Sequence, residues 1–408
     1  MFFRLMFFRK WLTLFRLGWR GLTELSPRIA WKAARLWVIR GLFALRAFRR
    51  RVQRGELFPP FLFFALTDAC NLRCRGCWVA GKCPPVELSP ESVDHAIQEG
   101  AKQSVYFHTF LGGEPFMYPA IWELIEKHPE CYFQIITNGQ LIDANAAQRI
   151  RRLGNISPLI SIDGWEETND ARRGTGTYAT SLETCRLLQK EHVLYGVATV
   201  VTGENFEQVL SEEYIRRFID LGAMYLWYYV FRPMGANPSP ELCLDKERIL
   251  ELRRRLLMFR KTMPIVLIDT YWNAKGEAVC PAARGLGFHI GPSGGIEPCP
   301  PLSVCREHFD DNNGNLFQNF NESTFLRNFQ NFVTERTQGC VILECPDELA
   351  DFFEKEKVED SGGRELIEEL RRSSRQASHH LPGQEMPEDF WFYRFLKKTL
   401  FFGMGGYG

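Results

Sequence analysis

The chain has 408 residues, 45% of them apolar and 24% charged, an ordinary globular composition with enough apolar matter for a sizeable core. Its formal net charge of +1 hides an asymmetry: residues 1–56 hold fourteen Lys/Arg against only Glu24 and Glu56, which makes that segment +12 and the remainder −11. Twelve cysteines without a secretory signal suit a reducing compartment, the cytosol, in which thiols serve metals rather than disulfides.

Residues 1–56 are rich in Phe, Trp and Leu, but charges interrupt every apolar run, the longest of which has five residues. A bilayer-spanning helix needs about 20 mostly apolar residues, so no span is expected here, and no small-residue cleavage site makes the segment a signal peptide. Arg28, Lys32 and Arg35 share a helical face beside Ile29, Trp31, Leu36 and Trp37. This basic, aromatic pattern predicts an amphipathic helical segment at an anionic membrane surface, on the inner face as a peripheral protein. Packing on the protein's own core or on a partner is the alternative. Nucleic acid is not expected, because Phe, Leu and Trp far outnumber the polar residues that phosphate contacts also use.

From residue 57 to about 262, short apolar runs alternate with amphipathic segments, the signature of repeated β-α units and a parallel sheet. Strands are predicted at 61–66, 104–110, 132–137, 157–162, 196–202 and 224–231, and helices at 90–101, 118–127, 142–153, 177–191 and 206–220. A further amphipathic segment covers 245–260. Residues 263–350 are rich in Gly, Pro and Cys and suggest a small metal-stapled domain. Residues 351–408 read as a polar linker around a short helix, followed by an aromatic and basic amphipathic tail at 390–398.

Directly after the first strand stands Cys70-Asn71-Leu72-Arg73-Cys74-Arg75-Gly76-Cys77. Three thiolates on one short loop can hold three irons of a 4Fe-4S cluster and leave the fourth open. A structural zinc site is the rival, but zinc usually takes two C-x2-C-like pairs and closes on four ligands. The C-x3-C-x2-C pattern resembles the radical S-adenosylmethionine (radical SAM) family. The resemblance runs from about residue 59 to 348 and implies an α/β fold, a partial (β/α)6 TIM-like barrel with its active site at the strands' C-terminal ends. It also implies an enzyme in which the open iron holds S-adenosylmethionine. One electron, from a donor such as ferredoxin or flavodoxin, then yields a 5′-deoxyadenosyl radical that abstracts hydrogen from an unactivated C–H bond.

In that family Gly112-Gly113-Glu114-Pro115, at the end of the second strand, corresponds to the motif that cradles the cofactor's amino group. Two glycines there let backbone approach a ligand closely. Thr137-Asn138-Gly139 ends the third strand. By resemblance Ser161 is assigned to the ribose edge, with Asp163 and Arg173 as further cofactor contacts, and 199–202 and 228–231 line the adenine pocket; a plain turn with surface arginines is the bland alternative. The family commonly has an aromatic residue just before the third cysteine. Here Gly76 stands there, and Trp78 is the expected substitute. His108 is placed in the core in preference to the cavity.

Cys280, thirteen residues, Gly294, four residues and Cys299 match the opening of the SPASM and twitch extensions of the same superfamily. The resemblance implies one auxiliary 4Fe-4S cluster on Cys280, Cys299 and Cys345, with Cys305 or Cys340 as the fourth ligand; zinc is the alternative metal. Cys83, Cys131, Cys185 and Cys243 have no metal-binding spacing. The preferred substrate is a lipid or isoprenoid met at the membrane surface, because both chain ends are aromatic and basic. The alternatives are a maturase acting on a ribosomally made peptide and a non-catalytic, membrane-bound Fe-S electron-transfer protein. No catalytic acid or base is identified by spacing.

Overall fold

The structure is a computed structural model that describes residues 2–79, 84–235 and 237–399, with side chains from residue 9 onward; Cys83 lies outside the described residues. Seven parallel strands run side by side in chain order: β1 (Leu62–Thr67), β2 (Phe107–Gly112), β3 (Tyr132–Thr137), β4 (Ile156–Ser161), β5 (Gly196–Val201), β6 (Tyr225–Val230) and β7 (Val266–Ile268). The connections carry helices such as Pro90–Lys102, Ala144–Leu153 and Thr177–Lys190. Strands buried on both faces need continuous apolar sequence, and β1, β3 and β5 supply it. The α/β partial barrel expected from the sequence is thus present.

The cysteine-rich segment adds strands to the same sheet at both edges. β7 extends it beyond β6, and the hairpin of β8 (His289–Ile290) and β9 (Ile296–Glu297) pairs in parallel with β1. Gly294, with φ +88°, makes the hairpin turn, a backbone conformation that side chains disfavour. β7 is the opposite edge, and edge strands invite unwanted pairing. Here the Tyr393 hydroxyl accepts from Leu267 N (2.9 Å), and Arg260 Nε and Nη2 donate to Leu267 O (3.2 and 3.0 Å). The tail that carries Tyr393, the helix Trp391–Thr399, is anchored by buried Lys397, whose Nζ reaches Asp269 Oδ1 at 3.1 Å. The polar stretch before it is a packed strap rather than a free linker: Trp272 Nε1 donates to His379 O (3.2 Å) and Arg253 Nη2 to Met386 O (2.9 Å).

Residues 1–56 form α1 (Phe2–Thr23), α2 (Pro27–Lys32), a wider π-helical stretch (Ala33–Ile39) and α3 (Arg40–Gln53). They pack across the N-terminal ends of the barrel strands. Arg20 donates to Pro264 O (2.7 Å) and Ala223 O (2.9 Å), Lys32 to Leu153 O (2.6 Å), Arg40 to Glu130 O (2.6 Å) and Arg51 to Gln103 O (2.9 Å). Each acceptor lies just before a strand or ends the helix that leads toward one. Packing on the protein's own core, the alternative for this segment, is therefore observed: several cations serve the protein's own backbone. The opposite face leaves Trp11, Phe15, Trp19 and Leu22 exposed in one stripe, with Trp11 6.0 Å from exposed Trp391. No described helix is long and apolar enough to cross a membrane.

His108 on β2 is fully buried against Phe64 and Phe133, with no hydrogen-bond partner on either ring nitrogen. Burial pushes its pKa down to about 3. Unfolding frees the ring to protonate near its ordinary value, so stability falls as pH drops from about 6.5 toward 3. Between pH 7 and 5 this one group should cost on the order of 2 kcal/mol. Thermal melting of His108→Phe at both pH values should show a correspondingly smaller acid loss than the parent; parallel losses would remove His108 as the cause.

Candidate active site

The loop after β1 is held by close backbone contact with the end of β2. Gly113 N donates to Thr67 O (2.7 Å) and Glu114 N to Ala69 O (2.8 Å). A Cβ on Gly112 (φ +123°) would stand 2.3 Å from Thr67 O, and one on Gly113 2.0 Å from Ala69 O. The glycine pair is thus demanded by the cysteine loop itself, beyond any ligand. Glu114 does not line the cavity. Its buried carboxylate accepts from Thr137 Oγ1 (2.7 Å), Asn138 N (2.8 Å) and Phe116 N (3.1 Å), and Pro115 opens the short 3-10 turn that follows. Asn138, so placed, donates from Nδ2 to Asn71 Oδ1 (2.7 Å) and lies 3.9 Å from Cys70 Sγ, which also accepts from Leu72 N (3.4 Å).

The three thiols face a cavity of about 330 Å³ at the strands' C-terminal ends. Gly112, Gly113, Ser161, Arg173 and Trp78 also line it. Burial pushes the Cys70 thiol up to about 11 and raises Cys74 as well, with Arg173 working against it at Cys74. Thiolates here need a compensating cation, which is the condition a metal cluster meets. Three such donors on one loop, with an amide and a backbone N–H directed at one sulfur, fit a 4Fe-4S cluster.

Asp163 differs from its expected place. It is fully buried and absent from the cavity wall; its carboxylate binds Arg172 and Arg173 (Nε at 2.6 Å) and accepts from Val200 N (2.8 Å). Burial alone would raise its pKa, but the two arginines outweigh it and hold the carboxyl below its usual range. Asp163 therefore positions Arg172 and Arg173, both of which reach the cavity. Arg172 also ties this helix to the cysteine loop by accepting from Arg75 N at 2.8 Å.

Gly76 has φ +68°, and a Cβ there would lie 2.6 Å from the ring of Phe231. The aromatic residue missing before Cys77 is replaced in space by Phe231, which follows β6. Along β6 the inward side chains alternate, so Trp227, Tyr229 and Phe231 face the cavity while Tyr228 donates outward to Val209 O (2.9 Å). Thr199 is likewise spent on Ile162 O (2.8 Å), leaving Val200 at the wall.

The same cavity is lined by Cys280, Cys299 and Cys340. Arg232 Nε donates to Cys340 Sγ at 3.1 Å; burial opposes its charge, but Cys340, Tyr271 and Cys299 raise its pKa further. Cys345 is not brought to this group: the charges around its thiol are Glu348, Glu344, Arg375 and Asp347. Cys305 also stands apart, 3.7 Å from His308 Nε2. Sequence spacing could not separate Cys340 from Cys345: they flank the helical turn Val341–Glu344, and only Cys340 lines the cavity.

A profile described as the radical SAM superfamily matches residues 64–212. Mycofactocin maturase MftC of Mycobacterium tuberculosis is 33% identical over 276 residues, covering 63% of this chain and 68% of that protein. The chain belongs to the radical SAM superfamily. It is also similar to sporulation killing factor maturation protein SkfB of Bacillus subtilis, 32% identical over 246 residues, 57% of this chain and 58% of that one. The fold matches Streptococcus suis SuiB bound to precursor peptide SuiA with a TM-score of 0.58 at 16% identity, over 73% of this chain and 72% of that chain. As a radical SAM enzyme the protein binds a 4Fe-4S cluster and S-adenosylmethionine.

Adding a methyl group at Gly113 or Gly76 should disturb the cysteine loop, with a cost at or above the roughly 1–3 kcal/mol typical of overpacking. Gly113→Ala and Gly76→Ala are expected to lose most of the iron assigned to Cys70, Cys74 and Cys77, read as iron per chain after anaerobic reconstitution. Iron at the parent level in Gly113→Ala would show that the loop does not need the glycine.

Proposed function

We propose that this radical SAM enzyme modifies a ribosomally made peptide, with one cluster on Cys70, Cys74 and Cys77 and an auxiliary 4Fe-4S cluster on Cys280, Cys299 and Cys340. The observation that carries the reading is that both thiol triplets line one cavity. When bound, the first cluster and S-adenosylmethionine supply the 5′-deoxyadenosyl radical. The chain's own residues orient and shield: Ser161 and Arg173 at the β4 end, Phe231 and Trp78 as apolar walls that exclude water, and Arg232 beside Cys340. Two relatives named as maturases favour a peptide over the lipid first inferred from the sequence. The geometry agrees, since the exposed aromatic stripe lies at the strands' N-terminal ends, away from the cavity.

Anaerobic reduction with S-adenosylmethionine should release 5′-deoxyadenosine, and Cys74→Ala should abolish it. Replacing Cys280, Cys299 and Cys340 together by Ala should remove about half the iron, the share of one of two 4Fe-4S clusters, and stop modification of peptide substrate while leaving some uncoupled cleavage. Full iron in that triple variant would sink the auxiliary assignment, and turnover of lipid extracts but no peptide would favour the lipid reading.

A second reading concerns place. The stripe of Trp11, Phe15, Trp19 and Trp391 among basic residues supports peripheral docking on an anionic membrane from the cytoplasmic side. Vesicles rich in phosphatidylglycerol should float the parent protein but not a Trp11→Ser, Phe15→Ser, Trp19→Ser variant; equal flotation would overturn it.

A further inference from the structure

Cys305, released from the cavity, lies in a different group. It pairs backbone to backbone with Glu359 (Cys305 N to Glu359 O 3.0 Å, Glu359 N to Cys305 O 2.8 Å), so the two side chains leave one face of a short antiparallel bridge. His308, three residues on, places Nε2 3.7 Å from Cys305 Sγ and 3.2 Å from Glu359 Oε2. The three ligand atoms all lie within 4.8 Å of one another.

We propose that Cys305, His308 and Glu359 form a second kind of metal site, a mononuclear zinc clip separate from the iron-sulfur cavity. A tetrahedral zinc ion with bonds of about 2.3 Å to sulfur and 2.0 Å to nitrogen and oxygen has edges of about 3.5 Å (S to N) and 3.3 Å (N to O). The two separations that involve His308, 3.7 and 3.2 Å, match these edges to within about 0.2 Å. Thiolate, imidazole and carboxylate are all donors that zinc accepts. Glu297 and Glu307 add negative charge near the thiol. Cys305 is buried and Glu359 is exposed, so the ion has a protein side and a solvent side that leaves its fourth position to water.

The clip would join the segment after the β8–β9 hairpin to residues 357–361. That strap continues to Arg364, which donates to Trp78 O at the cavity wall and to Pro301 O at 3.0 Å. The ion would thus fasten the chain segment that reaches Trp78.

The test uses full-length, anaerobically purified protein with its clusters in place. It is washed with EDTA, titrated with Zn²⁺, desalted and assayed for zinc and iron, and its zinc K-edge absorption is recorded. The expected result is about one zinc per chain with one sulfur at ~2.3 Å and nitrogen or oxygen at ~2.0 Å. Glu359→Gln, an exposed change that spares the fold, and Cys305→Ser should each lose that zinc and keep parental iron. A parent chain that retains no zinc, variants that retain it, or a shell without sulfur would each overturn the proposal. So would loss of iron in Cys305→Ser matching that of Cys280→Ala, which would make Cys305 a cluster ligand.

Discussion

The close approach of two backbones, Thr67 to Ala69 against Gly112 to Glu114, is the constraint on which the site depends. It is made by two hydrogen bonds and by the absence of two Cβ atoms. From it follows the position of Glu114, whose carboxylate fixes Thr137 and Asn138, and from Asn138 follows the support of Asn71 and Cys70. Three strand ends are thereby tied together beneath the cysteine loop. A buried carboxyl with three donors is a satisfied one, and removing any donor leaves an acceptor with no solvent to take the donor's place. The order of the motif along the chain is thus the order of a mechanical chain in space.

Much of this was legible in advance. Apolar runs of strand length separated by amphipathic helices gave the barrel, and the thiol spacing marked the cluster loop, because both are local properties of sequence. What was not legible is relational. Asp163 has the look of a polar residue at a strand end, yet its two arginines turn its carboxylate inward and make it a support. Phe231 lies far from Gly76 in sequence, and only the fold brings its ring to the space a side chain at Gly76 would need. Cys340 and Cys345 differ by a single helical turn, which no spacing rule resolves.

The charge asymmetry illustrates the same limit from the other side. Fourteen cations in residues 1–56 suggested a surface meant for an external anion. Carbonyl groups just before a strand or at a helix C-terminus lack a partner within their own element, and Arg20, Lys32 and Arg40 supply one across the barrel floor. The floor is closed by these bonds and by stacking of Trp37 with Tyr132 at 6.2 Å. The segment's apolar face is then split: Ile29, Leu36 and Leu45 turn inward, and the stripe of Trp11, Phe15 and Trp19 is left outside.

Closing one end of the barrel assigns all traffic to the other. The open end is shared by residues from the barrel and from the cysteine-rich segment, because the β8–β9 hairpin extends the sheet at β1, the strand that also leads into Cys70. Arg232, which follows β6, spans the remaining gap to Cys340. Two thiol groups meet at one cavity because their segments belong to one continuous sheet, and the relative placement of the groups is as rigid as that sheet. The space a substrate can reach between them opens at the strands' C-terminal side, where the cysteine loop, Ser161 and Arg173 also stand.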